Sequence, residues 1–196
     1  GEYATNCTSS IMQGYAAGYG AYQSQYGVSV GYQAGKYSSS NLQTVFLGYS
    51  AGENVVNSMR AIFIGSSAGL NSSKDTSLIG IGPSVAGQTT NDIYSVFIGS
   101  SAGSITTNCQ YNVFIGCNAG KQNKSVTNSV ALGSYTKVDA DNTVVLGNQA
   151  DVVVGGTCST NAAIVLSKNG AGQFNGGISY VAPLGDISMG SYTNKP

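Results

Sequence analysis

Short apolar segments, each closed by a glycine, recur along this chain at a fixed step. The glycines are Gly14, Gly31, Gly48, Gly65, Gly82, Gly99, Gly116 and Gly133, every interval being 17 residues, and the next interval, to Gly147, is 14. Three residues before the glycine stand Ile11, Val28, Val45, Ile62, Ile79, Val96, Val113, Val130 and Val144. One residue before it stand Val30, Leu47, Ile64, Ile81, Ile98, Ile115, Leu132 and Leu146, with Gln13 the exception. A small residue follows three positions after it, as at Ala17, Ala34, Ala51, Ala68, Ala102 and Ala119, usually before a second glycine. Between these cores lie polar stretches such as KYSSSNLQT and SITTNCQYN.

A repeat of 17 residues is too short for two-helix repeats or a propeller blade. It suits one coil of a β-solenoid, with two short strands joined by turns at the glycines, where positive φ is cheap. A helical reading would need a 3.6-residue stripe and fewer glycines and β-branched residues. The expectation is an all-β parallel roll over residues 11–156, after a lead-in at 1–10 and before a cap or connector at 157–196. Nine coils at the sheet spacing of about 4.8 Å would make a column of roughly 40 Å.

Strand side chains alternate, so the two flanking aliphatic positions share one side. Placed inside, they leave the central position pointing outward. That position holds Met12, Phe46, Phe63, Phe97, Phe114, Ala131 and Val145, with Ser29 and Gly80 as exceptions. A strand apolar on both faces must be covered on both. The reading is that Phe46, Phe63, Phe97, Phe114 and Val145 pack against another copy of the chain around a symmetry axis.

The segments NSVALG (Asn128 to Gly133) and NTVVLG (Asn142 to Gly147) resemble head repeats of trimeric autotransporter adhesins. The longer VFIGSSAG form is similar to repeats of phage and giant-virus fibre proteins. The resemblance covers residues 11–156 well and the tail weakly. It implies a left-handed parallel β-roll, a homotrimer and an extracellular place on a virion fibre or cell surface. The 14-residue step matches the adhesin repeat, the 17-residue steps depart from it, and the repeat carries no catalytic motif.

Composition narrows the chemistry. The chain has no His and no Trp, and only 8 basic and 8 acidic residues among 196. Without His, triads, zincin sites and imidazole acid/base work are excluded. Zero formal charge leaves no footprint for nucleic acid or an anionic membrane. No run approaches the ~20 apolar residues of a membrane span. There is no phosphate loop, and no basic region followed by an apolar leader. Gly1 in place of Met suggests a processed product or an excerpt of something longer. The expectation is a protein that is not an enzyme and uses no cofactor or metal.

Tyrosine is the leading candidate for binding, with 8 of 13 inside the first 50 residues. Tyr15, Tyr32 and Tyr49 share one repeat position and should stack as a ladder. They suit either a sugar- or receptor-binding platform or a structural ladder. Asp75 and Asp92 are one period apart and read as solvated turns, Lys74 offsetting their charge; Asp139 and Asp141 form a second acidic turn. Cys109 and Cys117 are a candidate disulfide or two separate buried thiols, while Cys7 and Cys158 have no matching spacing. Sequons at Asn6, Asn71 and Asn123 are candidate glycosylation sites.

Together these readings predict a trimeric fibre or attachment module that meets a host receptor or glycan without catalysis. The alternative is a subunit of an extracellular filament that polymerises end to end.

Overall fold

The structure is a computed structural model and describes residues 1–147. Nine three-residue strands follow one another: β1 (Ile11–Gln13), β2 (Val28–Val30), β3 (Val45–Leu47), β4 (Ile62–Ile64), β5 (Ile79–Ile81), β6 (Val96–Ile98), β7 (Val113–Ile115), β8 (Val130–Leu132) and β9 (Val144–Leu146). They form one parallel sheet in sequence order, so each strand pairs with its successor one coil on. Register follows the repeat: Val45 pairs with Ile62 and Phe46 with Phe63, and the shorter last step sets Val130 against Val144. The chain is an all-β parallel solenoid.

The coil contains one strand rather than the expected two. Two rows of single-residue bridges complete it, one running Thr5, Tyr22, Ser39, Val56 and onward, the other Thr8, Gln25, Leu42, Met59 and onward. These rows bring residues 5 and 8, expected in a lead-in, into the roll. The cap at 157–196, residues 148–156 of the roll and Cys158 lie outside the described residues.

Glycine is not the only corner residue. In the coil that starts at β6, Ser101, Ile105, Asn108 and Tyr111 all have φ between 54° and 61°. Ser, Asn and Gln dominate such corners throughout, and of these Asn tolerates the region best. Ile105 is the one β-branched residue among them. The 17-residue glycine row has a separate cause. At Gly99, φ is 129°, and a Cβ there would stand 2.6 Å from the carbonyl oxygen of Gly116. Consecutive coils touch backbone to backbone at this corner, and no side chain fits.

The strands face the opposite way from the sequence expectation. Their central residues point into the coil: Phe46, Phe63, Phe97 and Phe114 are 0–2% exposed and form the core with Ala51, Val55, Ala68, Leu78, Val85 and Ala102. The rings stack in pairs, Phe46 on Phe63 at 5.9 Å and Phe97 on Phe114 at 5.0 Å. Val145 packs against the same core. None of the four Phe side chains is therefore free to meet another copy of the chain. The physical reason is geometric: the corners turn the neighbouring arcs toward the central residue, so one strand side chain per coil enters the interior.

A second glycine row makes room for those rings. A Cβ on Gly52, Gly69, Gly103 or Gly120 would lie 2.2–2.3 Å from the ring of Phe46, Phe63, Phe97 or Phe114, respectively. Each Phe is thus paired with the glycine six residues later. In the one full coil with glycine at the strand centre, Gly80, the residue six later is Ala86 and its neighbour is Val85, both fully buried. Volume lost from the strand is returned by the arc.

Candidate functional site

With the Phe row inside, the flanking aliphatic positions form the outer face of the sheet. Leu47, Ile81, Ile115 and Leu146 are each about two-fifths exposed, and Ile11 and Val144 more. Val28, Val45, Ile62, Ile64, Val96, Ile98 and Val113 are half-buried beside them. Two parallel aliphatic columns thus run along nine strands, interrupted only by Gln13. The strip is about 40 Å long, with exposed apolar area on the order of 1,000 Å², near one side of a standard protein interface. A monomer seldom exposes so continuous an apolar patch.

The tyrosines form the second surface. Tyr15 stacks on Tyr32 at 5.2 Å and 15°, and Tyr32 on Tyr49 at 5.0 Å and 5°. Near-parallel rings at this separation are offset stacked, so the ladder hides ring faces and presents edges and hydroxyls. Tyr15, at the start of this ladder, is the most exposed of the three. Beside it, Tyr3, Tyr19 and Tyr37 meet edge to face at 5.3 and 5.7 Å, and Lys36 Nζ lies 5.0 Å from the Tyr37 ring centroid. Tyr15, Tyr19 and Tyr37 line an open groove of about 540 Å³ with Glu2, Gln33 and Lys36. A cleft of aromatic walls with one cation, one anion and one amide can hold a ring carrying hydroxyl groups. Tyr94 and Tyr111 repeat the stack farther along, at 5.3 Å.

The Asp reading is corrected. Asp75 and Asp92 are fully buried, while Lys74 is exposed and makes no ion pair with either. Asp75 Oδ1 accepts the Asp92 N–H at 3.0 Å, and Asp92 Oδ1 accepts the Cys109 N–H at 2.8 Å. Thr89 Oγ1 lies 2.6 Å from Asp75 Oδ2 and 3.2 Å from the Ala86 carbonyl oxygen. Thr106 Oγ1 likewise contacts Asp92 Oδ2 and lies 2.8 Å from the Gly103 carbonyl oxygen. Burial raises Asp75 from 3.8 to about 6, against the lowering effect of its hydrogen bonds. Burial also raises Asp92, to about 7, with the neighbouring Asp75 charge adding to it. Asp139 and Asp141 are exposed as expected, Asp139 pairing with Lys137 at 2.8 Å.

The proposed disulfide does not form. Cys109 points into the core and Cys117 lies exposed at an outer corner, and both are free thiols, as is Cys7. Burial raises the Cys109 thiol to about 11, so it stays protonated. Of the sequons, Asn6 and Asn71 are exposed, but Asn123 is 2% exposed and its amide faces the interior. A glycan cannot be carried there in the folded coil. Among the described residues no cluster of three or more His, Cys, Asp or Glu could hold a metal ion.

The sequence did contain a signal for the true inside. Phe at the strand centre alternates with Gly80, and Gly at the position six later alternates with Ala86 in the same coil. Such compensation marks two residues that share one volume. No family model matches this chain, and no curated protein sequence matches it.

Proposed function

We propose that this chain is a non-catalytic structural module of an extracellular fibre or of an attachment structure on a virion or cell surface. Three copies pack through the outer sheet face, and the tyrosine groove meets a receptor or glycan. The observation that carries this reading is the partly exposed double column of aliphatic side chains along the nine described strands. Its teeth repeat at the coil spacing, and a second copy of the chain has the same spacing in register. The resemblance of NSVALG and NTVVLG to adhesin head repeats supports three copies rather than two. Triplicate presentation of a groove as shallow as that at Tyr15 would convert weak contacts into avidity.

Light scattering on a sizing column tests the assembly directly. A mass three times the 19.9 kDa chain is expected. The double variant Leu47→Asp/Ile81→Asp should shift that mass to the monomer, because it puts two carboxylates per chain into an apolar contact. A monomeric wild-type chain overturns the trimer. Open-ended, concentration-dependent polymers would favour the end-to-end filament instead. A glycan or cell-binding screen with Tyr15→Ala and Tyr37→Ala as controls tests the groove.

A further inference from the structure

The interior of a solenoid leaves some backbone amides without a backbone partner. At the inward positions, a polar side chain of the preceding coil supplies one. Asn41 Oδ1 accepts the Ser58 N–H at 2.9 Å, and Asn112 Oδ1 accepts the Ser129 N–H at 2.9 Å. Asp75 Oδ1 and Asp92 Oδ1 do the same one coil on. The other atom of each side chain separates the two types. Asn41 Nδ2 donates to the Val55 carbonyl oxygen at 3.0 Å, and Asn112 Nδ2 donates to that of Val126 at 2.7 Å. Counting along the repeat, Thr89 and Thr106 stand in the next coil where Val55 stands for Asn41. Asp75 Oδ2 and Asp92 Oδ2 thus meet a threonine hydroxyl where the Asn amide meets a carbonyl oxygen, and a hydroxyl can either donate or accept.

Proton counting at the threonines decides between the two. Each hydroxyl has one proton and two oxygen neighbours, a carboxyl oxygen and the carbonyl three residues back. With an ionised carboxylate the proton can serve only one of them. With a neutral acid, Oδ2–H donates to the threonine oxygen and the threonine O–H donates to the carbonyl. The Oδ2 atoms, the two threonine hydroxyls and the two carbonyl oxygens are then all matched donor to acceptor. No Lys or Arg is among the buried described residues. The groups facing the pair along the column are the Ser58 hydroxyl on one side and the neutral Cys109 thiol on the other, with Ser72 alongside.

We propose that Asp75 and Asp92 sit in the folded roll as neutral carboxylic acids, and that their ionisation is a built-in switch that loosens the middle coils as pH rises. Both groups bind protons more tightly folded than unfolded, where the usual value is 3.8. The stabilisation is therefore fully present below about pH 4 and is lost as pH rises through about 6 to 7. The roll resists mild acid and weakens toward neutrality.

The test is denaturant unfolding of the whole chain from pH 4.5 to 8.5, beside carbon NMR of the two Asp carboxyl groups. The wild-type midpoint should fall steadily up to about pH 7 and then level. Asp75→Asn/Asp92→Asn, which copies Asn41 and supplies the same donor, should flatten that slope and hold the midpoint high at pH 8. A pH-independent wild-type midpoint, or an unchanged slope in the variant, overturns the proposal. If the variant does not fold, the NMR titration decides alone. Carboxyl shifts of protonated acids at pH 5.5 support the proposal, and those of carboxylates overturn it.

Discussion

From β3 to β7 the phenylalanine rings of the strands all lie inside the roll, while in the first two coils the strands carry no ring and the tyrosines of the arcs lie outside. The early coils enclose Ala17, Ala21, Ser24, Ser29, Ala34, Ser38, Asn41 and Thr44 and display Tyr15, Tyr22, Tyr26, Tyr32 and Tyr37. The later ones enclose Phe46, Phe63, Phe97 and Phe114. The backbone and its register are the same in both. The difference shows that the ladder of main-chain hydrogen bonds and glycine corners defines the coil, whereas the aromatic residues are free to be spent on either side. Inside, they add cohesion; outside, they make a surface. One solenoid can thereby combine a packed shaft with an aromatic flank.

The largest effect should come from emptying the shaft. Phe97→Ala removes a ring stacked on Phe114 and leaves a cavity over Gly103, which should cost about 3–5 kcal/mol in denaturant unfolding. The coil of β5 indicates the remedy. Adding Ala102→Val and Gly103→Ala to Phe97→Gly copies Gly80, Val85 and Ala86, and should recover a substantial part of the loss. Failure to recover any of it would mean that the β5 arrangement depends on more than shared volume.

A smaller change should move the boundary between the two regions. Ser29 occupies the strand-centre position and already has its glycine, Gly35, six residues later, but no ring between them. Ser29→Phe would extend the Phe row by one coil. Burying the ring should raise stability by about 1–2 kcal/mol, less than the full transfer value because Phe46 already leans toward Gly35. A destabilised Ser29→Phe would show that the early coils are too narrow for a ring.

Much of this was readable before the structure. The 17-residue glycine row, the aliphatic triplets and the Tyr15–Tyr32–Tyr49 ladder each follow from a period and a residue type. The side that faced inward did not. Alternation ties Val45 to Leu47 and opposes both to Phe46, but two aliphatic positions look more core-like than one aromatic, and alternation has no sign. The sign came from a six-residue partnership between Phe and Gly, a relation that crosses the corner and that strand patterning ignores. The same inversion misplaced Asp75 and Asn123. Their stretch reads as a polar arc, yet its left-handed corners turn every third residue inward. Polar composition marked solvent there only for residues that precede or follow those positions.

The smallest effect should come from the flank. Tyr32 sits between Tyr15 and Tyr49, so Tyr32→Ala removes both stacking contacts of the ladder at once. Exposed rings were already half in water, and the backbone bonds from Gly31 and to Tyr32 persist in the variant. An aromatic pair is worth about 0.5–1.5 kcal/mol beyond its buried area, and exposure puts this one at the low end, so the total loss should stay near 1 kcal/mol. Measured beside Phe97→Ala in the same denaturant series, the ratio of the two losses is the quantity that matters. A ratio of about three or more supports a division of labour, with rings inside for cohesion and rings outside for contact. A ratio near one would mean that the tyrosine ladder holds its coils together as the phenylalanines do, and the flank would then be a second shaft rather than a binding surface.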